Sequence, residues 1–338
     1  MNAPTFATRP PQYPWARQSA GHAPPRLPGS VRRTTSIDSA WPGGFGQPVA
    51  MSGRARDIAT PLDGGAPVEL ASGGFAITAS QAREILAIEV TPPHPRTAEL
   101  VGVRAGGASR EAFRTVLRDR VGTPLFQVLD DFAGASLVGN WIWSQWSDDW
   151  RPGGMAQMPA GTRGPRENIC TGFATGASSL SPDGLPDTSG TSHTEVGPLT
   201  DPADPLGWHA MPEQSGVKFR RARRLDLYRD GDLLHADLGF QDSGSNPRGT
   251  RSAIHEYRVH AEIDPATMTL VSLQALPLIL PFRECPGAAV KIGRLVGQPV
   301  AGLRDAVPVV LRSTLGCTHL NDVLRSLADV PDLARMLP

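Results

Sequence analysis

The stretch "GCTHLNDVLRSLADV" sets Cys317 two positions before His319, at the head of an amphipathic run. With Thr318 as the first helical residue, Cys317 falls at the N-cap, where free backbone N–H groups and the helix dipole favour a thiolate. A second cysteine repeats the arrangement. In "RECPGAAVKIGRL", Pro286 suits the first helical position, which places Cys285 at a cap as well. Imidazoles come from "AIHEYRVHAEID", which alternates with the period of a strand. His255 shares its apolar side with Tyr257, Val259, Ala261 and Ile263. Glu256, Arg258, His260 and Glu262 face the other way, so His260 points to solvent. The two histidines are one residue too far apart for the helical zinc-protease signature.

His255, Cys285, Cys317 and His319 together make a Cys2His2 donor set, suited to zinc or iron. If one coordination position stays open, Lewis-acid chemistry follows. Two other readings stand beside this one. In the first, Cys317 is a metal-free nucleophile with His319 or His255 as its base. In the second, the cysteines are inert fillers of tight turns, His255 is a hydrogen-bonded core residue, and the protein is a non-catalytic scaffold that binds a partner through its tryptophan-rich seam. Cys170, in "ENICTGFATG", belongs to a long loop that either closes over the site or carries an ordinary cysteine. The run "NWIWSQWSDDW" holds Trp141, Trp143, Trp146 and Trp150, read as a helix packed between two halves or as the wall of an apolar pocket. Trp208 and His209 are candidates for the same wall.

The elements that position these residues lie within 338 residues, enough for two ordinary domains. Hydrophobic residues are 40% and charged residues 20%, a globular composition, and the formal net charge is zero. That balance argues against a nucleic-acid footprint or an anionic membrane surface and leaves a small molecule or a protein as partner. Lys218 and Lys291 are the only lysines. There is no phosphate-binding Gly-Lys-Ser/Thr loop, no Gly-x-Ser-x-Gly elbow and no convincing dinucleotide fingerprint. Three sparse cysteines and no visible secretory signal lead to the expectation of a reducing cytoplasm.

Residues 1–30 are rich in Pro, Arg and Gly and read as a disordered tail. Residues 31–150 form a first unit of strands and then helices, lacking the cysteines. Residues 151–217 are a Gly/Pro/Ser-rich loop, and 218–338 form a second strand-then-helix unit carrying the candidate site. The fold class expected is α+β, two similar units of antiparallel sheet followed by helices. "RRTTSID" and "RRARRLD" open the two units, and "LFQVLDDFA" and "LNDVLRSLA" share Leu, Val, Leu and Ala at the same offsets. Common helix residues produce such matches by chance as well. If the repeat holds, Gly122–Thr123 stands where Gly316–Cys317 stands, and the first copy lacks the thiol.

The series "RRTTSID", "HEY", "ECP" and "CTHLND" resembles the bacterial domain-of-unknown-function family 2889 over residues 31 to about 330, with Gln241 where an arginine is expected. That family name implies no activity. From His255 onward the chain is also similar in layout to iron–sulfur cluster scaffold proteins of the NifU/IscU type, which implies a scaffold-like second unit and an iron–sulfur cluster as an alternative to a single ion. In that resemblance His255–Glu256 take the first ligand position, Cys285 the middle one and Cys317 the last. The first cysteine and the "LPPVK" docking segment are missing, and the histidine follows Cys317 instead of preceding it.

Overall fold

The alternating runs become strands. In the first half these are β1 (Ser30–Ala40), β2 (Val49–Thr60), β3 (Val68–Ala79) and β4 (Ile85–Thr91). After the three-residue β5 (Thr194–Val196) come β6 (Lys218–Asp230), β7 (Leu233–Ser245), β8 (Arg251–Asp264) and β9 (Thr269–Ile279). The computed structural model describes residues 16–146, 166–187 and 190–338, so residues 1–15 of the expected tail and Trp150 lie outside the described residues. Every pairing is antiparallel, in the order β4-β3-β2-β1-β6-β7-β8, with β9 and β5 both on β8. β6 turns into β7 through Gly231, at φ 58°, and Asp232.

The result is a mixed α+β fold around one large antiparallel sheet. The units 31–150 and 218–338 do not keep separate sheets, because β1 and β6 pair along their whole length, from Ser30 opposite Tyr228 to Ala40 opposite Lys218. Ion pairs flank this seam on one face: Arg32 Nε lies 2.5 Å from Asp226, and Arg220 Nε lies 2.6 Å from Asp38.

Among the described residues, six α-helices follow the strands: α1 (Gly107–Val116), α2 (Pro124–Asp130), α3 (Phe132–Val138), α4 (Leu303–Val310), α5 (Thr318–Arg325) and α6 (Val330–Ala334). α2 breaks at Asp131 before α3, and the tryptophan run expected to be helical has 3-10 geometry over Gly139–Gln145. "CPGAAVKIGRL" is likewise a 3-10 segment, Cys285–Leu295. Its N-cap is Glu284, so Cys285 is the first helical residue and Pro286 the second, one place off the expected cap. Proline tolerates either position because neither N–H has a helical acceptor.

Among the described residues the two larger apolar cores sit between sheet and helices, and each borrows across the seam. Phe219 of β6 packs in the first core with Ile37, Phe75, Leu129 and Phe132. Val31 of β1 packs in the second with Leu238, Val259, Leu320 and Leu324. The tryptophan run bridges the halves as well. Trp143 meets Trp41 edge-on at 5.9 Å, and Trp146 Nε1 donates to the Ser245 carbonyl at 2.8 Å. Trp208 and His209 lie elsewhere: His209 hydrogen-bonds Thr34 and Ser36 of β1 at 2.9 and 2.7 Å.

Residues 16–29, which composition assigned to a disordered tail, are bonded in place. Gln18 N–H donates to Leu278 O at 2.8 Å, Ala20 N–H to Glu256 at 2.6 Å, and Arg26 reaches Asp204 at 2.8 Å. Hydrogen bonding to a strand edge and to buried carboxylates needs no apolar periodicity, which is why the composition missed it.

Arg33 and Arg221, the second residues of the two Arg-Arg openings, are buried on the core-facing side. Arg33 holds Asp57 across β1–β2 at 2.7 and 2.6 Å, Asp329 at 2.8 Å and the Gly122 carbonyl at 2.8 Å. Removing a buried guanidinium strands its carboxylates. Arg33→Met should therefore lower unfolding free energy by about 3–5 kcal/mol. The urea midpoint at neutral pH checks this, and a wild-type midpoint would show that the network is not under load.

Candidate functional site

Strand parity and one helix start assemble the site. Asp242 near the end of β7 and His255 near the start of β8 are direct cross-strand partners, both facing the helices. α5 begins at Cys317, whose extended φ of −126° marks the N-cap expected from sequence. The first turn of α5 then lowers His319 onto His255. The two rings stack with centroids 3.5 Å apart and planes 19° apart. His255 Nδ1 is 3.4 Å and His319 Nε2 is 3.8 Å from the same oxygen, Asp242 Oδ2. Neither nitrogen has an aligned hydrogen-bond partner, and both are buried. The three donor atoms lie within 4.8 Å of one another.

Arg221 fixes the carboxylate. Its Nε and Nη2 donate to Asp242 at 2.8 and 2.9 Å, and its Nη1 donates to Asp322 of α5 at 2.8 Å. The helix–sheet approach is close enough to require Gly134 of α3, where a Cβ would stand 1.9 Å from Arg221 Nη1 and 2.2 Å from Asp322. Burial pushes the Asp242 carboxyl up, but the charge and hydrogen bonds of Arg221, with the nearby His255, more than reverse it and hold it well below the usual carboxylate range. Burial lowers the pKa of His255 despite the opposing pull of Asp242. It lowers that of His319 further, with His255 adding to the effect. Both imidazoles are thus kept neutral.

The sulfurs form the adjoining wall. Cys317 Sγ stands 3.9 Å from His319 Nδ1. The Tyr257 hydroxyl, fully buried and without a conventional partner, lies against the same sulfur. Burial raises the Cys317 thiol above its ordinary pKa, although Tyr257 and the Leu320 and His319 N–H groups oppose this. Burial raises Cys285 strongly and Cys170 to about 12. Cys170 belongs to the long loop, which docks here. Thr171 N–H donates to Gly316 O at 2.8 Å, and a Cβ on Gly172 would lie 2.5 Å from Cys285 Sγ and 3.9 Å from Cys170 Sγ. The loop therefore lies over the thiols at the base of α5.

Of the four expected ligands, His255 and His319 come together, Cys317 stands beside His319, and Cys285 faces the loop. Among the described residues the donor group that forms around the histidines contains Asp242 and no sulfur. Sequence reasoning passed over Asp242. Its signal was an acidic residue at the inward parity of an otherwise apolar alternation, Leu234, Ala236, Leu238 and Phe240.

Fold and site define a mixed α+β protein with an arginine-anchored carboxylate–imidazole cluster walled by thiols. Residues 219–332, which carry the cluster and two of the three cysteines, match the family described as "Protein of unknown function (DUF2889)". No curated protein and no solved structure matches the chain. Among the described residues no helix is long and apolar enough to cross a membrane.

Two outcomes follow from these environments. In the native protein Cys285 and Cys317 should alkylate with iodoacetamide at neutral pH at least roughly tenfold more slowly than in urea, because the thiolate is the reactive form. A thiol that reacts as fast folded as unfolded would contradict the burial. The histidines give a pH dependence. Their folded pKa values lie below 6.5, so below that pH the unfolded chain binds more protons and stability rises with pH. Acidification from pH 6.5 should cost about 1.4 kcal/mol per pH unit for each imidazole kept neutral. His319→Phe, which keeps a ring over His255, should flatten that slope in urea titrations. An unchanged slope would place the linkage elsewhere.

Proposed function

We propose that the chain binds one divalent transition-metal ion, zinc or iron(II), through Asp242, His255 and His319. One observation carries the reading: two buried, neutral ring nitrogens without aligned partners converge on one carboxylate oxygen. An unsatisfied buried polar atom costs about 1–3 kcal/mol, and neutral imidazole is the ligating form. A nitrogen–nitrogen–oxygen set suits zinc or iron. A carboxylate has lone pairs enough for Arg221 and a cation together, and Asp322 offsets the guanidinium charge. The ion would supply Lewis-acid chemistry. The protein would orient the donors through Arg221 and restrict water through the loop at Thr171–Gly172. Because the sulfurs lie outside the donor group, a single ion is favoured over an iron–sulfur cluster, while the layout similar to NifU/IscU scaffolds agrees with a site at the start of α5.

A second reading rests on a different observation. His319 lies between Cys317 Sγ at its Nδ1 and Asp242 at its Nε2, the order of a nucleophile, base and orienting carboxylate. It requires Cys317 to become accessible.

We also infer that the two halves are copies of one unit. In support, each half runs through a four-stranded meander into helices. The seam pairs Arg32 with Asp226 and Arg220 with Asp38, and Arg33–Asp57 is matched by Arg221–Asp242. Superposing 31–147 on 218–330 by their strands should bring α2 onto α5, and helices falling on opposite faces would end the idea.

The metal reading is tested on the full chain purified without air or chelator, then offered zinc or iron(II). Wild type should hold about one ion at this site, His255→Ala and His319→Ala should lose it, and Cys170→Ser should keep it. Cys317→Ser should retain the ion with weakened affinity, because the thiol touches the other nitrogen of His319. Wild-type content in His319→Ala would overturn the assignment. A metal-free wild type whose Cys317 alkylation slows in His319→Ala would favour the thiol reading.

A further inference from the structure

A second group of donors lies on the opposite face of the sheet. There the outward positions of β7 and β8 bring His235 directly opposite Glu262 and Asp237 directly opposite His260. His260 and Glu262 are two residues apart on one strand, so both project to the same side as His235. The three donor atoms lie within 4.8 Å of one another, and each residue is half-buried. His235 Nδ1 and His260 Nε2 face each other at 3.3 Å.

The surroundings orient these groups. The ring of Tyr228, the cross-strand partner of His235 on β6, stacks nearly parallel on the imidazole, with centroids 5.4 Å apart and planes 15° apart. The neighbouring carboxylate, Asp237, is engaged by Arg224 and lies 3.5 Å from Arg258. Glu262 is different. In a protein whose buried aspartates are paired with arginine, it has no ion-pair partner among the described residues. Two imidazoles that meet nitrogen to nitrogen must share one proton or one cation, and burial, which outweighs the pull of Asp237, keeps His260 toward its neutral form.

We propose that His235, His260 and Glu262 form a solvent-accessible site for a divalent transition-metal ion of the zinc, nickel or copper class. Two nitrogens and one carboxylate select borderline ions over magnesium and calcium, which take oxygen shells. Three protein ligands on an accessible face leave coordination positions for water or an added ligand. The site is independent of the Asp242 cluster, which lies on the helix-facing side of the same strands.

The test uses the full-length chain carrying His319→Ala, so that the central cluster cannot contribute. Equilibrium dialysis against zinc should show a remaining site, and His260→Asn on that background should weaken it by more than roughly tenfold, the lower end of what the loss of even an outer-shell partner does. Glu262→Gln, which keeps shape and folding, should weaken it in the same direction. With copper(II), electron paramagnetic resonance should show coupling to two nitrogens that is lost in His235→Asn. Zinc affinity unchanged by both His260→Asn and Glu262→Gln overturns the proposal, as does a His319→Ala chain that binds no zinc and no copper.

Discussion

The burial of Arg221 constrains everything around it. A guanidinium removed from water is tolerable only if its donors are saturated, and here each side of it meets a carboxylate: Asp242 from the sheet and Asp322 from α5. The arginine therefore ties the helix to the sheet at a fixed height. Gly134 is needed at that height, and His319, three residues before Asp322, is brought down onto His255. The stacking distance is set from outside the stack. An imidazole pair by itself would gain little from so close an approach in water, whereas the ion pairs around it leave the rings nowhere else to go.

The same anchor decides the charge state. Two stacked imidazolium ions at this separation would repel in a low-dielectric setting, and Arg221 adds a third positive charge nearby. Asp242 and Asp322, the carboxylates on Arg221, would together offset only two of those three charges. Neutral rings next to a firmly ionised carboxylate are what remains. That is the protonation pattern of a waiting ligand set, and equally of a base poised beside a thiol. The geometry of His319, with one nitrogen toward each neighbour, is what makes both chemistries conceivable at one residue.

Much of this was legible in the chain. Alternation in "AIHEYRVHAEID" placed His255 inward and His260 outward because β periodicity is local and the core supplies the bias. The cap at Cys317 could be read because N-cap preferences act within one turn. What was not legible depends on distant partners. The seam between β1 and β6 joins residues far apart in sequence, so two expected units became one sheet. Residues 16–29 carry no apolar period, yet they find Glu256 and Asp204. Asp242 was passed over, since its role appears only once β7 is in register with β8. Cys285 missed its cap by one residue because Pro286 is acceptable at either of two positions.

The two halves show what the cluster adds to the fold. Thr123 caps α2 as Cys317 begins α5, and the second residue after each cap packs on the third strand of its meander. In the first half that residue is Leu125, against Gly73 of β3; in the second it is His319, against His255 of β8. Both arrangements keep an arginine–aspartate anchor next to the contact, Arg33 with Asp57 and Arg221 with Asp242. A leucine on a glycine is therefore enough to close the helix–sheet joint, and the fold does not need imidazoles at this position. Replacing an apolar contact with two buried rings whose nitrogens lack partners is a stability loss at a place where the other half shows a simpler solution. The ligand site proposed above would account for such a loss.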